Sequence, residues 1–272
     1  MHDPDSTILI TGATSGLGRA VAESLAPRGG HLILHGRSPE RLNELAAQLQ
    51  PEAATIDVVT ADLSELSQVE ELVEQVYELT DQLTVLVNNA GLGKGASDTR
   101  EESANGYELR LAINHLAAFA LSLRLLPLLE TGAPSRIVNV ASGAQEPIDF
   151  NDPQLEDGYS GNRAYAQSKF AMVTTGFVLA SKLPAEVVTV NSLHPATLMP
   201  TRMVEEGYGH TVDELQTGVD AVLHLIESDA LEAVTGQYFS IQQQSTAHQQ
   251  AYDPDVQHRL WELSQQLTGI TF

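Results

Sequence analysis

Thr7-Ile8-Leu9-Ile10-Thr11-Gly12-Ala13-Thr14-Ser15-Gly16-Leu17-Gly18 is the stretch on which the fold turns. A short apolar run enters a turn carrying three glycines, and beyond it Leu17, Val21 and Leu25 recur on one helical face. Strand, glycine turn and helix in this order are the setting in which backbone can approach a phosphate. Gly12 permits the tight turn, Gly16 and Gly18 clear room, and the helix N-terminus favours an anion. The same spacing also suits a turn that binds nothing, so the rest of the chain has to decide.

Outward from this stretch, apolar strand-like runs alternate with helical patterns. The strands are expected at residues 7–10, 32–35, 56–60, 85–87, 136–140, 187–193 and 237–241. Between them, Leu42, Leu45 and Leu49 share a face after Ser38 as N-cap and Pro39 in the first turn, and Leu66, Val69, Leu72, Val73 and Val76 make a third helix. That alternation predicts an α/β fold: one doubly wound, Rossmann-like parallel sheet of about seven strands flanked by helices, as a single domain over residues 1–272. Residues 145–162, polar with two prolines, read as a surface loop or insertion. A last helix over 254–267 places Val256, Leu260, Leu263 and Leu267 on one side, to pack on the domain or on a neighbouring subunit.

Composition narrows the classes. Within 272 residues there is no cysteine, so no disulfide framework, thiolate metal site or thiol nucleophile is available, and no metal is expected. This leans the compartment towards the cytoplasm. The net charge of -22, from 36 acidic against 14 basic residues, repels nucleic-acid phosphates and anionic lipid, which argues against DNA, RNA and membrane partners. An ordinary acidic enzyme and one adapted to high salt both fit this surface. The first six residues carry two aspartates and no basic start, so Met1 reads as the mature N-terminus. Residues 109–129 are strongly apolar but interrupted by Arg110, Asn114, His115, Arg124 and Pro127, so they read as a buried or interface helix and not a membrane span.

Further motifs follow in order: Asn88-Asn89-Ala90-Gly91, Asn114, Ser142, Tyr165-Ala166-Gln167-Ser168-Lys169 and Pro195. Together with the glycine turn they resemble the short-chain dehydrogenase/reductase family over roughly residues 7–241. The spacing around Ser142 and Tyr165, with 22 residues between them, is similar to the branch of retinol dehydrogenases and protochlorophyllide reductases. Light-driven chemistry of the latter is disfavoured, because that resemblance expects cysteines.

The resemblance implies a nicotinamide dinucleotide held by Gly12, Thr14, Ser15, Gly16, Leu17 and Gly18. Asp62 and Leu63 would lie at the adenine and Asn89, Ala90 and Gly91 at the ribose. At the end of the second strand, where an NAD site carries a carboxylate, the order is His35-Gly36-Arg37. A cationic fork with no repelling acid favours a 2′-phosphate, so NADP(H) is expected over NAD(H). Pro195 and Leu198, with Thr201 nearby, resemble the segment that meets the nicotinamide amide, although Ala196 stands where glycine is usual.

Tyr165 and Lys169, four residues apart on a helix, can bring an ammonium beside a phenol and favour its ionised form. By resemblance Tyr165 is the general acid/base, Lys169 also binds the nicotinamide ribose, Ser142 donates to the substrate carbonyl and Asn114 positions a water linked to Lys169. Tyr159-x-x-x-Arg163 repeats the spacing just upstream, but Arg163 cannot usefully give up a proton. The substrate expected is a small-molecule carbonyl or alcohol, apolar in character, walled by residues 143–162 and 199–209. The resemblance also implies a homodimer or homotetramer built on the helices carrying Asn114 and Tyr165. Two rivals remain: an NADPH-binding sensor without turnover on the same fold, and a nucleotide-sugar epimerase. Intact Asn114, Ser142, Tyr165 and Lys169 speak against the first, and glycine spacing and chain length against the second.

Overall fold

The computed structural model describes residues 6–50 and 52–272. The expectation about a mature start at Met1 falls on residues 1–5, outside those described. The strands are β1 (Thr7–Ile10), β2 (His31–Gly36), β3 (Thr55–Thr60), β4 (Val85–Asn88), β5 (Ser135–Val140), β6 (Val188–His194), β7 (Tyr238–Ser240) and β8 (Gln243–Ser245). They form one sheet in the order β3-β2-β1-β4-β5-β6-β7-β8, with every neighbouring pair parallel except β7 and β8. The strand order reverses between β1 and β4, and the crevice beyond their C-terminal ends is where such sheets bind ligands.

Period-two alternation sorts the core. Ile8 and Ile10 face the layer of α1 (Gly16–Leu25), α2 (Pro39–Leu49) and α8 (Leu215–Glu227), while Leu9 faces α3 (Leu66–Leu79), α4 (Ala117–Arg124) and α6 (Gly161–Lys182). The α1 face of Leu17, Val21 and Leu25 is buried as its spacing predicts, each side chain contributing about 1.5–3 kcal/mol. Ser38 caps α2 by accepting the Arg41 N–H at 3.3 Å, with Pro39 in the first turn. A third apolar cluster lies between the outer face of α6 and α9 (Pro254–Thr268).

Three elements depart from the expectations. β8 is an eighth, antiparallel strand of exposed polar residues, reached through a turn that holds Ile241 at φ 57°. The apolar stretch 109–129 is not one helix: a π-helical turn, Leu111–Leu116, leads into α4, and the chain re-forms as α5 (Leu126–Thr131) around Pro127, whose missing N–H ends the preceding ladder. The polar segment 145–162 is loop only as far as Ser160, since α6 starts at Gly161. Among the described residues no helix is long and apolar enough to cross a membrane.

Candidate active site

The glycine turn after β1 is held from the β4 side. Thr11 Oγ1 accepts the N–H groups of Asn89 at 2.9 Å and Ala90 at 3.0 Å, and Asn89 Nδ2 donates to Thr11 O at 2.8 Å. Gly12 (φ 67°) and Gly16 (φ 54°) occupy the left-handed region that side chains avoid. A Cβ at Gly18 would lie 2.5 Å from Gly12 O, so this glycine seats α1 against the turn. The Ser15 side chain makes no capping bond, which leaves the first amides of α1 facing out of the turn. Thr14 and Ser15 lie on the solvent side of this turn, while Leu17 is buried in the core. A cradle of backbone donors with no Cβ in the way fits a pyrophosphate.

His35 is the residue here that sequence reasoning left as mere strand. Its Nδ1 accepts the Gly12 N–H at 3.3 Å and its Nε2 donates to Ala61 O at 3.1 Å. Burial pushes this imidazole down to about 4, so it stays neutral and ties the glycine turn to the end of β3. Next to it, a Cβ at Gly36 would lie 2.6 Å from Thr14 Cγ2. Arg37 is exposed at the same edge. Leu63 is buried, and Asp62 Oδ1 accepts the Ser64 N–H at 2.9 Å in a local turn just past β3.

The proton-transfer candidates converge beyond β4, β5 and α6. A Cβ at Gly91 would lie 3.1 Å from Asn114 Oδ1 and 3.4 Å from Lys169 Nζ, which brings three of the motifs into contact. Lys169 is buried and donates to Val140 O at 2.8 Å, two residues before Ser142. Ser142 lies close enough to the Tyr165 phenol to favour its ionised form. Asn114 is fully buried in the π-helical turn and both donors of its amide are engaged: Nδ2 donates to Leu92 O at 3.0 Å and to Ser168 Oγ at 2.9 Å, while Oδ1 accepts the Leu92 N–H at 2.7 Å. This side chain therefore fixes the β4 loop against α6.

The phenol of Tyr165 stands above its ordinary value, because burial outweighs the lowering effect of Ser142 beside it. Lys169 is turned to Val140 O, and its own burial brings it down to about 8. The Tyr165 phenol is therefore neutral at pH 7. Tyr159, the alternative phenol, is engaged by Arg110 and Glu108, and Arg163 by Glu146, so neither faces Ser142.

Compared with known proteins, the short chain dehydrogenase family profile matches residues 6–209. The chain belongs to that family. It is 32% identical to human retinol dehydrogenase 13 over 98% of this chain and 86% of that one, and 31% identical to human retinol dehydrogenase 14 over 97% and 86%. Among solved structures, RhlG of Pseudomonas aeruginosa in its NADP active-site complex superposes with a TM-score of 0.71 at 26% identity, covering 89% of this chain and 98% of that one. A landomycin C-6 ketoreductase bound to NADP and rabelomycin superposes with 0.68 at 27% identity, covering 87% and 94%. The protein is thus an oxidoreductase of the short-chain dehydrogenase type on an NAD(P)-binding Rossmann fold.

On the rim of this dehydrogenase site, Pro195 and Ala196 are buried and need no left-handed backbone. That conformation falls instead at Leu198, φ 46°, whose carbonyl accepts the Val212 N–H at 3.0 Å. Ala196 thus stands where the backbone carries no left-handed strain. Thr201 Cγ2 would lie 3.3 Å from a Cβ at Gly16, so the segment after β6 closes over the glycine turn. It continues as α7 (Arg202–Tyr208), a helix sequence reasoning treated only as generic wall. Tyr208 reaches back towards the site: its ring lies under Lys94 Nζ at 4.7 Å, and its hydroxyl is near enough to Tyr165 to disfavour a phenolate there. Tyr238 donates to Ser142 O at 2.9 Å, and Gln145 Nε2 to the same carbonyl at 2.9 Å, which pins the end of β5. Long-range contacts of this kind have no local sequence signal.

Proposed function

We propose that this protein is an NADP(H)-preferring carbonyl reductase acting on apolar aldehydes or ketones, with Tyr165 as general acid. The observation that carries this reading is the Ser142–Tyr165 pair set beside buried Lys169, at the end of the sheet where the glycine turn opens. The cofactor would be held by the amides of the glycine turn, by Asn89, Ala90 and Gly91 at the ribose, by Asp62 and Leu63 at the adenine, and by Pro195 and Leu198 at the amide. When bound, the reduced nicotinamide supplies a hydride to the carbonyl carbon.

The chain's own groups do the rest. Ser142 orients the carbonyl oxygen and Tyr165 gives that oxygen its proton, so carbonyl, hydride and proton together yield the alcohol. A phenol kept neutral by burial is already in the protonation state that reduction requires. Lys169 replaces the lost proton's charge nearby, and Asn114 holds Leu92 and α6 in register around it. The π-helical turn at Asn114 interrupts the regular ladder beside Lys169, where a water could be bound for proton relay.

Support for the 2′-phosphate reading comes from Gly36: with Thr14 packed against it a side chain there would have to push the Thr14 methyl aside, and Arg37 is the charge at that edge. The apolar character of the substrate is supported by relatives named as retinol dehydrogenases and by a ketoreductase neighbour that binds rabelomycin. Oxidation of NADPH and of NADH against a panel of aldehydes, ketones and quinones tests the reading. The expected result is turnover with bulky apolar carbonyls and at least a tenfold higher kcat/KM with NADPH, about 1.4 kcal/mol. Tight NADPH binding with no turnover on any carbonyl would favour the sensor on the same fold.

A further inference from the structure

Between the β4 loop, the approach to the π-helical turn and the loop before α6 lies a buried charged triangle that the chemistry above does not use. Arg110 and Glu108 are 3% and 2% exposed and pair at 3.3 Å. The Tyr159 hydroxyl closes the triangle, accepting from Arg110 Nη1 at 2.7 Å and donating to Glu108 Oε1 at 3.1 Å. The two charged corners also hold backbone. Arg110 donates through Nε to Gly93 O at 2.9 Å and through Nη2 to Lys94 O at 3.0 Å, and Glu108 Oε2 accepts the Leu111 N–H at 2.7 Å.

A buried ion pair is a poor stabiliser, since desolvation offsets most of its attraction, and an apolar replacement is often neutral or better. What this pair does supply is geometry. Its guanidinium aims two carbonyls of the β4 loop, and that loop meets both sides of the substrate space. A Cβ at Gly161, the first residue of α6, would lie 2.1 Å from Lys94 O, so the loop is pressed against the helix that bears Tyr165. On its other side, a Cβ at Gly93 would lie 2.5 Å from Met203 Cγ in α7, and Lys94 covers the Tyr208 ring.

We propose that Glu108, Arg110 and Tyr159 form a positioning centre that sets the distance between α7 and Tyr165, and so the width of the substrate cleft. The inference rests on the carbonyl-reduction reading. It gives the upstream tyrosine, which shares the Tyr-x-x-x-basic spacing, a role as a clamp and not an acid. None of the three residues touches the glycine turn, so a change in them is expected to act on the cleft far more than on cofactor affinity.

The test compares wild type, the charge-free double variant Glu108→Met/Arg110→Met and the milder Tyr159→Phe, measuring NADPH affinity by fluorescence, thermal unfolding, and kcat and KM for one bulky and one small carbonyl. The double variant is expected to fold, to bind NADPH within about twofold of wild type, and to lose about 100-fold in kcat/KM on the bulky substrate. Tyr159→Phe is expected to lose about tenfold, mainly through KM, with an unchanged pH profile. A double variant with wild-type kcat/KM overturns the positioning centre. So does one that is destabilised while its folded fraction keeps full activity. If the double variant fails to fold, Tyr159→Phe decides, and an unaltered KM for the bulky carbonyl overturns the proposal. A wild type inert towards every carbonyl would instead sink the underlying reading.

Discussion

Gly36 bears on the proposed preference for NADP(H). With Thr14 Cγ2 lying 2.6 Å from where its Cβ would be, a side chain there would have to push the Thr14 methyl aside, and Arg37 is the exposed charge at that edge. Arg37→Asp is therefore expected to weaken NADPH by at least about tenfold and to improve NADH, because a carboxylate repels the 2′-phosphate and accepts from a 2′-hydroxyl. Titration of both cofactors into the variant checks this, and an unchanged NADPH constant would remove the assignment. Lys169 sets a second expectation. Burial brings it down to about 8, while Tyr165 is raised, so below pH 8 the ammonium and the neutral phenol coexist. The rate of carbonyl reduction should be level below that pH and fall above it as Lys169 loses its proton. A profile level up to pH 10 would show that the ammonium is not needed.

At the level of elements, α9 is the part whose packing the local pattern could not supply. Its Trp261 is buried against Phe119 of α4 in an edge-on contact at 5.0 Å, and Ser264 Oγ meets His115 Nε2 at 2.7 Å in the π-helical turn. Trp261→Ala should cost about 3–5 kcal/mol in unfolding free energy, read from denaturant titration. A loss below about 1 kcal/mol would mean that α9 is peripheral. The spacing of Val256, Leu260, Leu263 and Leu267 announced the helix, but not that Trp261 and Ser264 form the buried seam. Strands β1 to β7 were legible because each is a short apolar run in a covered parallel sheet, whereas β8 is Gln-Gln-Ser on an exposed edge and carries no such signal. The π-helical turn was hidden because hydrophobic periodicity does not distinguish one inserted residue from a regular helix. The candidate residues were legible as types at fixed spacings. Their partners were not, since Asn114 with Leu92 and Tyr238 with Ser142 join distant segments.

For the molecule as a whole, two buried imidazoles set the acid limit. His35 is brought down to about 4 and His115 to about 3, both by burial, against an ordinary value of 6.5. The unfolded chain takes up these protons first, so stability is complete above pH 6.5 and is lost progressively as pH falls towards 4. Melting temperature measured from pH 7.5 to 4.5 should fall through that window, and His115→Gln should shallow the slope. An unchanged melting temperature at pH 4.5 would contradict the neutral-histidine account. The net charge of -22 acts over longer range: self-repulsion weakens as salt shortens the screening length from about 10 Å at 0.1 M to about 3 Å at 1 M.

The most direct test of the account is a single-turnover measurement of NADPH oxidation with a bulky apolar ketone at pH 7, run on wild type and Tyr165→Phe beside the NADPH affinity of each. A phenol acting as general acid predicts a rate lowered by about 10²–10⁴-fold with cofactor affinity within twofold. A Tyr165→Phe protein that reduces the ketone at the wild-type rate would contradict it.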